Sequence, residues 1–591
     1  MYFVFPWEKK LADYSKEFNE MEKSGLFASK DAIKIAVLGS HTLNYFSQLL
    51  SVRLAENGIP AKVWTAPYGQ IEGQLLNSTS ELAKFKPDFV LVVQDLNDVL
   101  GEPSMYLDFK QSEEEKKQAK AQVIVYCQNL VEEIKLNTTA YALITNFQTP
   151  HSTIFGSMEQ KHQGSRRIIQ EINLALADEI NKHKNTTLID LDAACANAGK
   201  IDTMHEKFRF LGDVHLSFRQ SVMLAEEVLG AVISLKGKSK KCIVLDLDNT
   251  LWGGVIGEDG LSGIKLGQTE PIGKAFQEFQ KEILKLHKRG IILAINSKNN
   301  YETAMQAINT HPEMILKEEH FSAIRTNWQD KATNLQELAE ELNISLDSIV
   351  FIDDDPFNIE LVKTQLPSVT CILLPKEPSS YPLLIKTLKL FDTLNLTEED
   401  YARGKMYAED KTRKENLKSF KNYADFLMSL NLTIAVKEAD SFTIPRISQM
   451  SLRTNQFNMT MKRYSEADIT KIVQNPEYKI YWMTVKDKFG DYGIAGACIV
   501  QIDKKQAIVD SFFMSCRVLG KEIENAFICK VMSNLKQNGV ETIKTFTIPT
   551  NENKAFLDFY IKTGFTKKGK NNFEFNLKNT NIIFPKHIKW A

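Results

Sequence analysis

The chain has little that would staple, anchor or globally charge it. Its seven cysteines, Cys127, Cys195, Cys242, Cys371, Cys498, Cys516 and Cys529, include no CxxC pair. An odd, scattered set in so long a chain argues against a disulfide framework and fits reduced thiols in the cytoplasm. An excess of one charge is also missing, with 73 Lys and Arg against 74 Asp and Glu. There is therefore no global basic field to attract nucleic acid or an anionic membrane, and partners must be sought locally. The start, MYFVFPWEKKLADY, is apolar but has no preceding basic region and no long apolar core, so neither a signal peptide nor a spanning helix is expected. Internal repeats and low-complexity tracts are absent too. What is present is ordinary globular composition, 43% hydrophobic and 25% charged over 591 residues, enough for three or four domains at roughly 150 residues each.

The first third alternates apolar strand-like runs with polar helical stretches. The runs are Ile33 to Gly39, Ala61 to Thr65, Phe89 to Val93, Tyr141 to Thr145 and Thr187 to Leu191, a rhythm that predicts a parallel α/β layer. The Gly/Lys/Ser stretch ISLKGKSKK leads into CIVLDLDNT and marks a first boundary, so residues 1–236 are assigned to one domain. A second α/β unit, 237–395, has predicted strands at Cys242 to Leu247, Ile291 to Ile295, Ala323 to Thr326, Ser348 to Ile352 and Thr370 to Leu374. The charged run LTEEDYARGKMYAEDKTRKENLKSF then reads as a helical linker. It opens a third segment, 396–591, which mixes strands such as Tyr478 to Val485 and Ala507 to Phe513 with a helix from about Lys521 to Gln537.

Chemistry concentrates in the middle segment. In CIVLDLDNTLWGGVIGEDG the strand period of two puts Asp246 and Asp248 on one side where the strand ends. A hard divalent ion such as Mg2+ would relieve the repulsion of two such carboxylates and bridge to substrate phosphate oxygens. Such spacing alone is weak, since solvent-facing loops also carry it. Three further groups follow in order: Asn296-Ser297 ends the apolar run IILAIN, Lys331 follows in NWQDKATN, and Asp353, Asp354 and Asp355 end SIVFI. Active groups of open α/β sheets gather at the carboxyl ends of strands, so all of them can face one cleft. Taken singly, Ser297 would be a helix N-cap and Lys331 a solvated lysine.

Together these stretches resemble the four motifs of the haloacid dehalogenase superfamily. The resemblance implies that Asp246 attacks phosphorus and that Asp248 shuttles a proton to the leaving group. It further implies Mg2+ as cofactor, held by Asp246, Asp248, Asp353 and Asp354, with Thr250, Ser297 and Lys331 binding phosphate. Trp252-Gly253-Gly254 directly after the first motif is similar to the FkbH branch of that superfamily. So are RTNQFNMT (Arg453 to Thr460), DKFGDYGIAG (Asp487 to Gly496), DSFFMSCRVLGKEIENAF (Asp510 to Phe527) and IPTNENKAFLDFYIKTGF (Ile548 to Phe565).

FkbH-like proteins load a glyceryl group from 1,3-bisphosphoglycerate onto the phosphopantetheine thiol of an acyl carrier protein, with loss of phosphate. The resemblance thus implies two partners, a small phosphorylated metabolite and a carrier protein, in polyketide, lipid or polysaccharide assembly. Cys516 is the thiol candidate, beside Arg517 and ahead of a helix N-terminus, both of which favour a thiolate. Its bland alternative is a buried packing cysteine. RVLGKE also resembles the pyrophosphate loop of GNAT acyltransferases, which implies acyl or pantetheine binding at Arg517 and Gly520. Glu522 stands where that loop expects a small residue, a departure that argues against ordinary acetyl-CoA binding. The expected architecture is therefore multidomain α/β: two Rossmann-like parallel-sheet domains followed by a GNAT-like mixed α/β domain.

In the first segment, Leu38-Gly39-Ser40, Asn97-Asp98 and the pair Asp213 and His215 fall in the chain order of an SGNH-type hydrolase. Asp95 stands where a Gly is expected, and Asp213 is one residue too close to His215. An SGNH-like or flavodoxin-like fold without committed hydrolysis is expected, with Ser40 as a helix N-cap. Two other functions compete with glyceryl loading: hydrolysis of a free phosphorylated metabolite, and non-enzymatic scaffolding.

Overall fold

The computed structural model describes residues 4–43, 45–101, 112–153, 155–159, 164–201, 206–394, 396, 406, 409, 413, 416–417, 420, 422–550 and 553–591. Contacts divide the chain into two compact units, one of 4–235 with 392–394, the other of 236–391 with 395–591.

The first unit holds five strands: β1 (Ile33–Gly39), β2 (Ala61–Thr65), β3 (Phe89–Val93), β4 (Tyr141–Thr145) and β5 (Thr186–Ile189). They are parallel, in the order β2-β1-β3-β4-β5, which is the flavodoxin-like order. Helices cover both faces, so β3 is buried at every position and reads as an unbroken apolar run rather than an alternating one. One face packs Ile35, Val37 and Leu91 with the helix Phe218–Leu235; the other packs Val90, Val92 and Ile144 with the helices Glu113–Asn137 and Ser165–Ile180.

The second unit contains two sheets. The first is again parallel, with β6 (Cys242–Leu245), β7 (Ile292–Ser297), β8 (Phe321–Thr326), β9 (Ile349–Asp353) and β10 (Thr370–Leu373) in the order β10-β9-β6-β7-β8. The order reverses between β6 and β9, so their carboxyl ends form the crevice at which such sheets bind ligands. The second sheet is mixed and has eight strands: β11 (Thr433–Glu438), β12 (Tyr478–Lys486), β13 (Asp491–Asp503), β14 (Gln506–Met514), β15 (Thr542–Phe546), β16 (Thr566–Lys567), β17 (Asn572–Asn576) and β18 (Lys589–Trp590). Their order is β16-β17-β15-β14-β13-β12-β11-β18, with a parallel pair β14–β15 at its centre.

The segment before β6 meets the helix Ile444–Arg453 of the second sheet's half of this unit. Gly237 (φ +65°) lies so close to Leu452 that a Cβ there would sit 1.8 Å from its carbonyl oxygen, which only glycine allows. The Lys241 ammonium donates to the Arg453 carbonyl at 2.9 Å. Of the expected helical linker, Met406, Glu409, Arg413, Asn416 and Leu417 are helical; most of the rest lies outside the described residues. All seven cysteines are free, and no described helix is long and apolar enough to cross a membrane.

Candidate active site

The strand that carries Asp246 is buried on both faces, so the chain can expose polar groups only where the strand stops. Asp246 follows β6, Ser297 ends β7 and Asp353 ends β9, and parallel pairing brings these three ends side by side. Lys331 starts the helix Lys331–Leu342, whose N-cap Asp330 accepts from the Thr333 amide. This lysine is no solvated surface group. It is 1% exposed, and its ammonium sits 2.8 Å from Asp246 Oδ1, 3.1 Å from Asp353 Oδ2 and 2.6 Å from the Asn296 carbonyl to which it donates. Burial works against its charge, but Asp246 and Asp353 outweigh that and hold its pKa above the ordinary lysine value.

One cation cannot balance the acids gathered here. Asp246, Asp353 and Asp354 offer oxygens that lie within 4.8 Å of one another, the one such group among the described residues. Burial and then the neighbouring Asp246 raise Asp353, which is fully buried. Burial, Asp353 and Asp246 push Asp354 up to about 7. Carboxylates that resist ionising together are what a divalent cation relieves, and an all-oxygen donor set suits a hard ion of the Mg2+ type. The Thr250 hydroxyl is fully buried and has no hydrogen-bond partner among the described residues, so it fits a phosphate oxygen as the missing acceptor.

Asp248, expected as a metal ligand, is not in the group formed by Asp246, Asp353 and Asp354. Its Oδ1 accepts from the Trp252 indole at 2.9 Å and the Ile256 amide at 3.0 Å, and its Oδ2 accepts from Asn299 at 2.9 Å. Three donors fix both oxygens, which suits a proton carrier held in one orientation better than an ion ligand. Ser297 is not an N-cap either; Asn300 caps the next helix, and the Ser297 hydroxyl accepts from Asn299 at 3.1 Å. Asn299 and Trp252 thus fix both oxygens of Asp248, contacts that motif reading missed. Trp252 was visible as part of WGG, but its indole reaches Asp248 only through the turn at Asn249 (φ +52°), whose side chain accepts the Gly254 amide at 2.9 Å.

Cys516 lies elsewhere. It opens a 3-10 turn, Cys516–Val518, and the following helix starts only at Ile523, so its N-terminus does not abut the thiol. The cysteine lines a cavity of about 90 Å3 with Lys241, Arg446, Arg453, Arg517 and Ser345. Lys241 and Ile292, also in its wall, stand at the amino ends of β6 and β7. At a strand rise of ~3.3 Å the run from Lys241 to Asp246 covers about 16 Å. The helix from Lys331 measures the same gap: it ends beside Asn343, which donates to the Cys516 carbonyl, about 18 Å along its axis at ~1.5 Å per residue. The two predicted catalytic groups therefore occupy opposite ends of one parallel sheet.

Arg517 also borders a second cavity of about 260 Å3, with Gly520, Lys521, Tyr423, Tyr492 and Leu342 in its wall. The edge of β14 offers no groove for an extended arm. β14 pairs with β15 only as far as Val509 and Thr545, and beyond that the chain's own RTNQFNMT segment moves in. Met459 donates to the Phe512 carbonyl at 3.1 Å, the Met514 amide donates to Phe457 at 3.0 Å, and Ile548 donates to Met459 at 2.9 Å. Glu522, where a small residue was expected, is forced to φ +59° as the N-cap of the next helix, the region in which a side chain is strained.

In the first unit Ser40, Asp213 and His215 follow triad order in the chain but do not assemble one. His215 Nδ1 is 2.9 Å from Asp95 Oδ2 and its Nε2 is 2.8 Å from Asp213 Oδ1, so both ring nitrogens are taken by carboxylates. The Ser40 hydroxyl instead accepts the Asp95 amide at 2.8 Å and bonds Asp98. It is not an N-cap; the next helix begins at Phe46. Asp95, in the place of glycine, captures the imidazole that a serine nucleophile would need. His41 stacks on His215 at 4.6 Å with both nitrogens unpartnered among the described residues.

Burial and then His215 push His41 down to about 4, while Asp95 and Asp213 oppose and Arg209 adds to the effect. The unfolded chain takes up this proton near its ordinary value of 6.5, the folded unit only near 4. Between them, falling pH favours unfolding, by roughly 3 kcal/mol in all. Burial acts to lower His215, but Asp95 and Asp213 raise it; its contribution has the opposite sign and is lost as pH rises through its folded value. A His41→Phe chain is expected to show a shallower loss of stability in urea unfolding between about pH 7 and about pH 5. An unchanged slope would assign the acid sensitivity to another group.

Comparison with known proteins agrees with this anatomy. Residues 34–233 match the family model described as FkbH, N-terminal domain, and residues 241–370 match that of the NLI interacting factor-like phosphatases. A similar solved structure is the N-terminal part of a Bacteroides fragilis protein containing a phosphatase domain, complexed with Mg. It is 29% identical with a TM-score of 0.57, and the match covers 64% of this chain and 99% of that one. Structures also found include the ribosomal-protein-S18-alanine N-acetyltransferase of Escherichia coli, at 15% identity and TM-score 0.20 over 25% of this chain and 99% of that one. No curated protein gives a significant match. The fold and site thus define an enzyme with a haloacid-dehalogenase-like phosphatase domain. More particularly, the chain is FkbH-like, with an FkbH N-terminal domain preceding the phosphatase domain.

Proposed function

We propose that this protein is a Mg2+-dependent phosphoryl-transfer enzyme that removes phosphate from a phosphoglyceryl substrate and loads the glyceryl unit onto an acyl carrier protein. The observation that carries the phosphatase half is the buried Lys331 held between Asp246 and Asp353 beside Asp354. Asp246, Asp353 and Asp354 would hold Mg2+, which when bound neutralises phosphate charge. Asp246 attacks phosphorus, and the leaving oxygen takes its proton from Asp248, kept in position by Trp252 and Asn299. Thr250 and Ser297 orient the phosphate while Lys331 offsets its charge. Water then attacks the aspartyl phosphate, with Asp248 taking the proton back, and phosphate leaves.

The loading half rests on Cys516 and its cationic cavity, supported by the FkbH likeness. Lys241, Arg446, Arg453 and Arg517 suit a donor with two phosphates such as 1,3-bisphosphoglycerate. The thiolate attacks the acyl carbonyl and releases the C1 phosphate, and the pantetheine thiol of the carrier takes the acyl group by thioester exchange. Arg517, Gly520 and the 260 Å3 cavity are the proposed path for the arm.

The test is intact-protein mass spectrometry of phosphopantetheinylated carrier protein after incubation with enzyme, Mg2+ and 1,3-bisphosphoglycerate, with phosphate followed in parallel. A glyceryl-sized mass gain on the carrier is expected. In Cys516→Ala that gain is expected to disappear; normal transfer by this variant would sink the covalent thiol. Hydrolysis of a free phosphorylated metabolite is the second reading, favoured by the separation of Cys516 from Asp246. Phosphate release with no carrier gain would select it.

A further inference from the structure

The acids around Asp246 already have their counter-charges. Asp246, Asp353 and Asp354 set three negative charges against the Lys331 ammonium and a divalent cation, so the centre that handles the transferred phosphate needs no second lysine. A second lysine is nevertheless held beside it. Lys298 directly follows Ser297, the last residue of β7, and is half-buried. Its ammonium donates to Asn358 Oδ1 at 3.3 Å and lies 6.0 Å from the centre of the Phe357 ring. Among the described residues no carboxylate pairs with it.

Asn358 connects this lysine to the catalytic acids. It stands in the helix Pro356–Gln365 after β9, is 5% exposed, and places its Nδ2 3.3 Å from both Asp353 oxygens. An ionised carboxylate only accepts, so the amide turns its NH2 toward Asp353 and its oxygen toward the Lys298 ammonium. Strands β9, β6 and β7 lie side by side in that order, and the Lys298–Asn358 contact therefore crosses the end of β6, the strand that leads to Asp246. Neighbouring strands are ~4.8 Å apart, and a lysine is long enough to cover two such steps with an asparagine reaching to meet it. Through the amide, the ammonium is kept within about 9 Å of the Asp353 carboxylate.

Resting on the phosphatase half of the proposed function, we infer that Lys298 determines substrate choice at this site: its ammonium binds a second anionic group, carried three carbons from the phosphate being removed. Lys331 is committed to Asp246 and Asp353. Lys298 has only neutral neighbours, an amide oxygen and a ring, so an anion brought by the substrate replaces a neutral hydrogen bond with a charge-assisted one. At ~1.5 Å per bond, a three-carbon chain places that anion inside the span set by Asn358. The favoured substrate is then a phosphate ester with an acid at its other end, over one with a hydroxyl there.

3-Phosphoglycerate and glycerol 3-phosphate are the matched probes, alike in chain and phosphate and different in the terminal carboxylate or hydroxyl. Phosphate release by the full chain with Mg2+ is expected to favour 3-phosphoglycerate in kcat/KM. Lys298→Met is expected to cut that preference about 10-fold or more, through KM, and Lys298→Arg to keep most of it. A loss of equal size on both probes, or no loss, overturns the inference. Binding is read apart from turnover by titration calorimetry of the Asp246→Asn chain with Mg2+, where adding Lys298→Met is expected to weaken 3-phosphoglycerate about 10-fold and to narrow its advantage over glycerol 3-phosphate. A 3-phosphoglycerate affinity that ignores the lysine overturns the inference even where carrier loading succeeds. Failed carrier loading counts against the proposed function alone, because neither measurement contains the carrier protein.

Discussion

Asp246→Asn is expected to lower phosphate release by on the order of 10^4-fold or more while leaving the fold in place. The amide has the shape of the carboxylate but not its charge or nucleophilicity, so no aspartyl phosphate can form. Folding should survive because Lys331 keeps Asp353 at 3.1 Å and the Asn296 carbonyl at 2.6 Å. The measurement is single-turnover phosphate release alongside a thermal melt. Residual activity within about tenfold of wild type would remove Asp246 from the role of nucleophile, whatever the melt reads.

Lys331→Met has a different signature, a loss of both activity and stability. Methionine fills most of the volume but leaves Asp246 and Asp353, 8% and 0% exposed, without the cation between them. Removing one partner of a buried ion pair costs about 3–5 kcal/mol, because the stranded charge keeps its desolvation penalty. Added Mg2+ is expected to restore part of this stability, since it supplies positive charge to the same carboxylates. Melting of the variant that is indifferent to Mg2+ would disconnect the Asp246, Asp353 and Asp354 cluster from metal binding. A variant as stable as wild type would make the buried pair energetically idle.

How far the sequence reaches varies with how local each feature is. The strands could be read almost to the residue, for instance Ile33–Gly39 and Phe89–Val93, because parallel strands covered on both faces leave uninterrupted apolar runs. The groups at their ends were legible for the same reason: Asp246, Ser297 and Asp353 are conspicuous as polar residues terminating such runs. Lys331 was legible only by its order in the chain; nothing local distinguishes it from a solvated lysine. Its burial against two carboxylates follows from where the helix it begins is laid on the sheet.

Features that depend on approach between distant segments are not written in local patterns. Asp248 reads as a metal ligand from the spacing of two carboxylates, yet Asn299, 51 residues away, and Trp252 take its oxygens. Ser40 and His215 fall in triad order with Asp95 in the place of a glycine, and only the structure shows that Asp95 takes the imidazole. Cys516 stands out by residue type alone, and nothing in its neighbourhood reveals which end of the phosphatase sheet it faces.

By itself, then, the sequence determined the strand-and-helix rhythm and the strand-end acids, since each is written in periods of a few residues. Only the tertiary structure decided which carboxylates share a cluster, which donors hold Asp248, and that the thiol and the phosphatase centre stand at opposite ends of one sheet. Those are distances between groups far apart in the chain, set by packing of whole elements, and no local pattern of residues encodes them.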